Sequence, residues 1–177
     1  MEKYIALLRG VNVSGKNLIR MTELQQQLAG SGLTEVRTYI QSGNIVFGAE
    51  DQSCAKLAAR IATAIETHFG LKVPVVVVKQ EELRLMHLQN PFAGRSDIPA
   101  NRLYFTLLAD RPEAAKAASL AEGNYLPEEY VLQERVVYLC LPDGYGNTRL
   151  DNNFLERKLG VQATTRNLAT IEKLLGM

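Results

Sequence analysis

The chain has 177 residues, with 20 basic against 19 acidic side chains and a formal charge of +1. That length holds one large domain or two small ones and buries a core without disulfides or metals. An ordinary apolar fraction excludes disorder, and the charge balance excludes a strong bulk attraction to nucleic acid or acidic membrane, leaving room only for a local patch.

The N-terminus has no basic run followed by an apolar one, so no signal peptide is expected. The apolar runs are strand-sized and too short to span a bilayer. Tyr4–Arg9 reads as a strand, apolar on both alternating sets and therefore central and covered on both faces. A polar glycine loop, Gly10–Asn17, follows. Thr22 with Gln25 predicts a capping box for a helix carrying Met21, Leu24 and Leu28 inward, stopped at Gly30 or Gly32. Val36–Ile40 and Asn44–Phe47 read as strands joined by a two-residue Ser42-Gly43 turn. Asp51 is expected to start a second helix, with Cys54, Leu57, Ala58, Ile61 and Ile65 buried and Gly70 at its end. Val73–Val78 is a strand, at an edge or unpaired at its start because of Pro74. This order, β-α-β-β-α-β, is the ferredoxin-like unit.

Glu81–Leu88 predicts a linking helix, and the turn-rich Gln89–Ala100 a domain boundary. The order then repeats. Leu103–Ala109 is a strand and Pro112–Leu120 a helix. Tyr130–Gln133 and Val136–Leu141 make a hairpin around Glu134-Arg135. Leu150–Leu159 is a helix ended by Gly160, and Val161–Thr164 the closing strand. Asn167 caps a last helix with Leu168, Ile171 and Leu175 inward. The expected fold is α+β: two tandem ferredoxin-like halves with antiparallel sheets, packed on each other so that each covers the other's open face. The expected divisions are 1–80, a linker at 81–101, and 102–177.

In such a unit the first and third strands are antiparallel neighbours, so the loop after the first strand and the hairpin tip share one end of the sheet. A Ser42-Gly43 turn puts Gln41 opposite Asn44 and Tyr39 opposite Val46, with Thr38, Ile40, Ile45 and Phe47 toward the helices. Arg9, Gly10, Asn12, Lys16, Asn17, Gln41, Ser42 and Asn44 then gather at one rim beside a helix N-terminus, which suits an anion or phosphate. The plainer alternative has the asparagines satisfying loop backbone groups and Arg9 pairing with an acid. A second group, Thr165, Arg166 and Asn167 within Ala163–Asn167, precedes a helix start and also suits an anion, or serves only to cap.

Gly10–Asn17 nearly matches the phosphate-binding P-loop, but Asn17 replaces the metal-holding hydroxyl and the helix opens later than the lysine. A base-stacking sheet needs open-face aromatics, and only Tyr39 is placed for that, so nucleic acid is not favoured. His68 and His87 lack ligand spacing, so no metal is expected, and no cofactor motif is present. Cys54 and Cys140 make no framework and read as small core residues.

Ala6–Asn17, Thr38–Phe47, Asn90-Pro-Phe92, and Ala163–Asn167 with Lys173-Leu174 resemble the bacterial domain-of-unknown-function family 1697, from the first strand to the last helix. Two positions depart from its pattern: Ser14 stands where glycine is more frequent, and Leu168 where an aromatic is frequent, which bears on a surface pocket beside Arg166. The resemblance implies a cytoplasmic protein of two α/β-plait halves and carries no activity with it. Three readings stay open: a protein binding a small anionic ligand such as a nucleotide or phosphorylated metabolite, a nucleic-acid or protein interaction module, and an enzyme of unnamed reaction, since no acid–base pair presents itself. Catalytic residues and oligomeric state are not legible.

Overall fold

The computed structural model describes residues 1–177. Two compact units divide the chain: Met1–Arg84 with Leu174–Met177, and Leu85–Lys173. The last residues join the first unit, where Gln80 Nε2 donates to the Leu174 carbonyl at 3.2 Å.

In the first unit, β1 (Glu2–Leu8), α1 (Met21–Ala29), β2 (Thr34–Tyr39), β3 (Asn44–Ala49), α2 (Cys54–Phe69) and β4 (Val75–Lys79) form an antiparallel sheet in the order β2-β3-β1-β4. β1 is central, and Tyr4–Leu8 are fully buried along both alternating sets. Tyr4, Ala6, Leu8, Ile45, Phe47 and Val77 pack under α1 and α2 against Leu24, Leu28, Leu57, Ile61 and Ile65. Rings of Tyr4 and Phe47 stack at 5.7 Å between centroids. Ile5, Leu7, Val46, Val76 and Val78, on the alternate set, are buried as well. β4 is an edge strand whose pairing starts only after Pro74, which has no N–H to give; its carbonyl accepts from Arg9 N at 3.0 Å.

The ends of these elements differ from the sequence expectation for local reasons. α1 begins at Met21, after an extended Arg20, and no side chain caps it. Gln25, expected in a capping box, instead has Oε1 3.5 Å from Thr38 Oγ1. α2 begins at Cys54 rather than Asp51, because Ser53 Oγ accepts from Lys56 N. Asp51 is drawn to Lys79 at 2.7 Å and to the Tyr4 hydroxyl. Gly70 ends α2 in the left-handed region, as expected.

The hairpin is the larger correction. Its turn has four residues, Ile40–Gly43, and pairs Tyr39 with Asn44, Thr38 with Ile45 and Arg37 with Val46. Gln41 therefore does not face Asn44, and Ile40 stands exposed in the turn with a φ of 49°. Asn44, fully buried, sends Nδ2 to the Tyr39 carbonyl and to Ser42 Oγ, both at 3.0 Å, and so closes the wider turn. Gly43 has a φ of 79°, and a Cβ there would lie 2.6 Å from Leu8 Cβ and 2.7 Å from Val11 Cγ2. Only glycine fits at that crossing.

The second unit repeats the plan. α3 (Gln80–Leu88) leads into it, followed by β5 (Leu103–Leu108), α4 (Ala114–Ala121), β6 (Glu129–Gln133), β7 (Val136–Cys140), α5 (Asn152–Leu159), β8 (Ala163–Asn167) and α6 (Leu168–Leu175). The sheet order is β6-β7-β5-β8, again antiparallel, and Leu108, Leu120, Val137, Leu139, Leu155 and Leu159 form the core beneath α4 and α5. Pro112 precedes α4 instead of opening it. β8 starts at Ala163 and runs past the expected end at Thr164 to Asn167, pairing Thr165 with Thr106, Arg166 with Phe105 and Asn167 with Tyr104. Thr165 and Arg166 are thus edge-strand residues rather than parts of a loop before a helix. Asn167 does cap α6, accepting from Thr170 N at 2.9 Å. Within α6, Ile171 is buried, while Leu168 and Leu175 are half-buried.

Both units are therefore α+β, with the ferredoxin-like strand order read from the sequence.

Candidate functional site

The segment between β1 and α1 is itself a small hairpin. Asn12 N donates to the Asn17 carbonyl at 3.1 Å and Lys16 N to the Val13 carbonyl at 2.9 Å. Ser14 and Gly15, with φ of 51° and 73°, sit at its tip. Two successive positive φ values are the mark of a primed turn, which matches strand twist. The amides of Asn12 and Lys16 are spent within this hairpin and the lysine lies five residues before α1, whereas a P-loop lysine opens its helix.

Asn12 ties this hairpin to both neighbours. Its Nδ2 donates to the Gln41 carbonyl at 2.8 Å and to the Ile19 carbonyl at 3.0 Å, and its Oδ1 accepts from Ile19 N at 2.8 Å. Leu8 N donates to the Gly43 carbonyl at 2.8 Å just beneath. The β1 loop and the β2–β3 turn therefore emerge side by side from one end of the sheet. Asn17 Nδ2 donates to the Gly10 carbonyl at 2.9 Å and closes the base of the loop.

Beside the Asn12–Gln41 contact lies a cleft of about 550 Å³ lined by Asn12, Leu18–Glu23, Gln41 and Phe69. Arg20 is exposed on its wall, and the amides of Met21, Thr22 and Glu23 open α1 without a side-chain cap. The first N–H groups of a helix have no intrahelical acceptor and carry the positive end of its dipole. Glu23 puts Oε1 2.8 Å from His68 Nε2, so that carboxylate is engaged with the end of α2.

Of the residues singled out in the sequence, Asn12 and Gln41 line this cleft. Gly10, Lys16 and Asn17 are exposed on the neighbouring hairpin, and Arg9 and Ser42 are half-buried at its base. Asn44 is enclosed in the turn and presents nothing to solvent. Thr165, Arg166 and Asn167 belong to the second unit. There Thr165 donates from Oγ1 to Asn152 Oδ1 at 2.7 Å and shares a 2.7 Å hydroxyl contact with Thr106. Arg166 donates from one terminal nitrogen to Thr164 Oγ1 at 3.0 Å and to the Thr165 carbonyl at 2.9 Å. Burial pulls its pKa down to about 10.

Arg20, Thr22 and Phe69 line the cleft without standing out as site residues in the sequence. A helix expected to start at Thr22 leaves Arg20 in the loop; the signal for it is a lone arginine just before the first apolar helical residue, Met21. Phe69 reaches the cleft from the far end of α2, a long-range placement with no local signature.

Fold and site together define an α+β protein of two plait units, the first with a cleft of mixed polar and apolar lining at one sheet end. The chain belongs to the family described as a protein of unknown function, DUF1697, whose model matches residues 1–138. Among solved structures it is similar to the conserved bacterial protein SP0830 from Streptococcus pneumoniae. That likeness has a TM-score of 0.75 at 24% identity and covers 99% of this chain and 97% of that one. Nothing among curated proteins matches. No helix is long and apolar enough to cross a membrane.

Proposed function

We propose that the first unit binds a small anionic ligand, a nucleotide or phosphorylated metabolite, in the cleft between the Asn12–Gln41 contact and the start of α1. The observation that carries this reading is that α1 opens onto the cleft uncapped, with Arg20 beside it. An oxyanion there would accept from the amides of Met21–Glu23 and pair with the guanidinium. Leu18, Ile19 and Phe69 offer an apolar side to a base or carbon skeleton. The Asn12 bonds hold the loop rigid against the turn, so little ordering is needed on binding.

A thermal-shift screen of nucleotides and phosphorylated metabolites tests this. A ligand at 100 times its Kd should stabilise by about 2.7 kcal/mol, with the shift reduced in Arg20→Ala. No stabilisation by any of them would overturn the reading.

A second reading has its own observation. Val13 and Leu18 are 56% and 68% exposed beside Lys16 and Arg20, and Ile40 is exposed on the adjacent turn. Apolar tips among cations suit docking to a nucleic-acid strand or an acidic protein. Salt-dependent binding to single strands, lost in Lys16→Ala, would favour it over the cleft.

A further inference from the structure

The second unit has a hollow of its own, which the proposal above does not use. It measures about 390 Å³ and lies between the 89–102 segment and α6. Phe92, Ile98, Leu103 and Leu168 give it apolar walls. His87 and Glu172 stand at its edge, with Nε2 and Oε1 3.4 Å apart. The His87 ring is fixed by stacking on Phe105, with centroids 6.3 Å apart and planes 14° apart. Glu172 and Leu168 also line an adjoining hollow with Asn101 and Asn167.

The charges here run opposite to those of the first unit. Arg95 lines the hollow but is already satisfied twice: one terminal nitrogen donates to both Glu129 carboxylate oxygens at 2.9 and 3.0 Å, and Nε and the other terminal nitrogen donate to Asp97. Those two carboxylates more than balance it. Arg102 lines a separate hollow beyond Arg95, among Asp97 and Glu129. Asn90 spends its Oδ1 on Phe92 N at 3.0 Å. What faces the space is a half-exposed carboxylate, a histidine and hydrocarbon. An anion would meet no cation there that lacks a carboxylate partner, and Glu172, more than half exposed, has a long 3.4 Å contact with the His87 ring and keeps acceptor capacity for a second donor.

We infer that this hollow binds a small organic cation, an ammonium group carried on an aromatic or aliphatic body. The ammonium meets the Glu172 carboxylate, and the body lies against Phe92, Ile98, Leu103 and Leu168. Aromatic and aliphatic walls with one convergent charge are the usual make-up of such a site; Phe92 already carries the Arg95 guanidinium 5.8 Å from its ring centre, so it serves as apolar wall and the carboxylate holds the ammonium.

The test is an amide-resonance titration of the full-length protein with three matched probes: phenethylammonium, 3-phenylpropanoate and 2-phenylethanol. Phenethylammonium should bind most tightly and shift resonances of Phe92–Arg95 and Leu168–Glu172. Glu172→Gln should weaken it about tenfold and bring it level with 2-phenylethanol, and Leu168→Trp should abolish binding by filling the space. Equal or tighter binding of 3-phenylpropanoate overturns the inference, as do shifts confined to other parts of the protein or no shifts at millimolar probe. The comparison of probes on the unaltered chain decides the matter even where a variant folds poorly.

Discussion

Asn12 and Gln41 are 29 residues apart in sequence, yet the side-chain amide of one donates to the backbone carbonyl of the other at 2.8 Å. This bond joins the β1 loop to the β2–β3 turn. The same Asn12 side chain donates to and accepts from Ile19, which fixes the approach to α1. Three hydrogen bonds from one half-buried side chain thus set the wall of the cleft.

Replacing Asn12 with alanine should cost the first unit about 1–3 kcal/mol. It removes bonds worth about 1 kcal/mol each and puts alanine at a φ of 54°, which asparagine tolerates better. Asn12→Asp keeps the acceptor for Ile19 N but loses both donations, so it should also destabilise. Urea unfolding checks this, and midpoints equal to the wild type would show that the bonds do not hold the wall.

Gly43 and Gly10 both have positive φ, but their surroundings differ. A Cβ at Gly10 meets nothing within 4 Å, so Gly10→Ala should cost only the backbone strain, about 1 kcal/mol. At Gly43 a Cβ would press on Leu8 and Val11, so Gly43→Ala should be clearly the more damaging, at about 3 kcal/mol or more. Equal losses at the two positions would mean that the turn does not sit on β1 as described.

Tyr138 is buried, its hydroxyl donates to the Met86 carbonyl at 2.8 Å, and burial pushes its pKa up to about 12. A tyrosine in the unfolded chain ionises near 10. A group whose pKa is raised by folding contributes stability that is fully present below the unfolded value and lost as pH rises through the folded one. Tyr138 should therefore contribute an alkaline loss of stability between pH 10 and about 12. Tyr138→Phe should be less stable than wild type at pH 8, having lost the bond to Met86, but should fall less steeply above pH 10. Parallel slopes in urea midpoints across pH 8–12 would refute the assignment.

The two-fold β-α-β-β-α-β order could be read from residues whose burial is nearly one-sided in meaning. Examples are Tyr4–Leu8, apolar on both sets, and the Leu57, Ile61, Ile65 stripe closed by Gly70. The convergence of the β1 loop with the hairpin turn followed from that order alone. What escaped the sequence were positions decided by a single side-chain bond. Asn44 closes a four-residue turn where Ser42-Gly43 suggested two. Ser53 starts α2 in place of Asp51, which Lys79 and Tyr4 claim. β8 extends to Asn167 because β5 is there to pair with it, although threonine, arginine and asparagine together resembled a loop. The asparagines divide: Asn17 and Asn44 bond backbone of their own loop and turn, while Asn12 also reaches across to Gln41.

Amide-resonance titration with AMP and with inorganic phosphate tests the anion cleft most directly, because it reads Met21, Thr22 and Glu23 themselves. Saturable shifts at those three amides, with affinity reduced about tenfold in Arg20→Ala, are the predicted result. Shifts absent from the start of α1, or an affinity indifferent to Arg20, would contradict it.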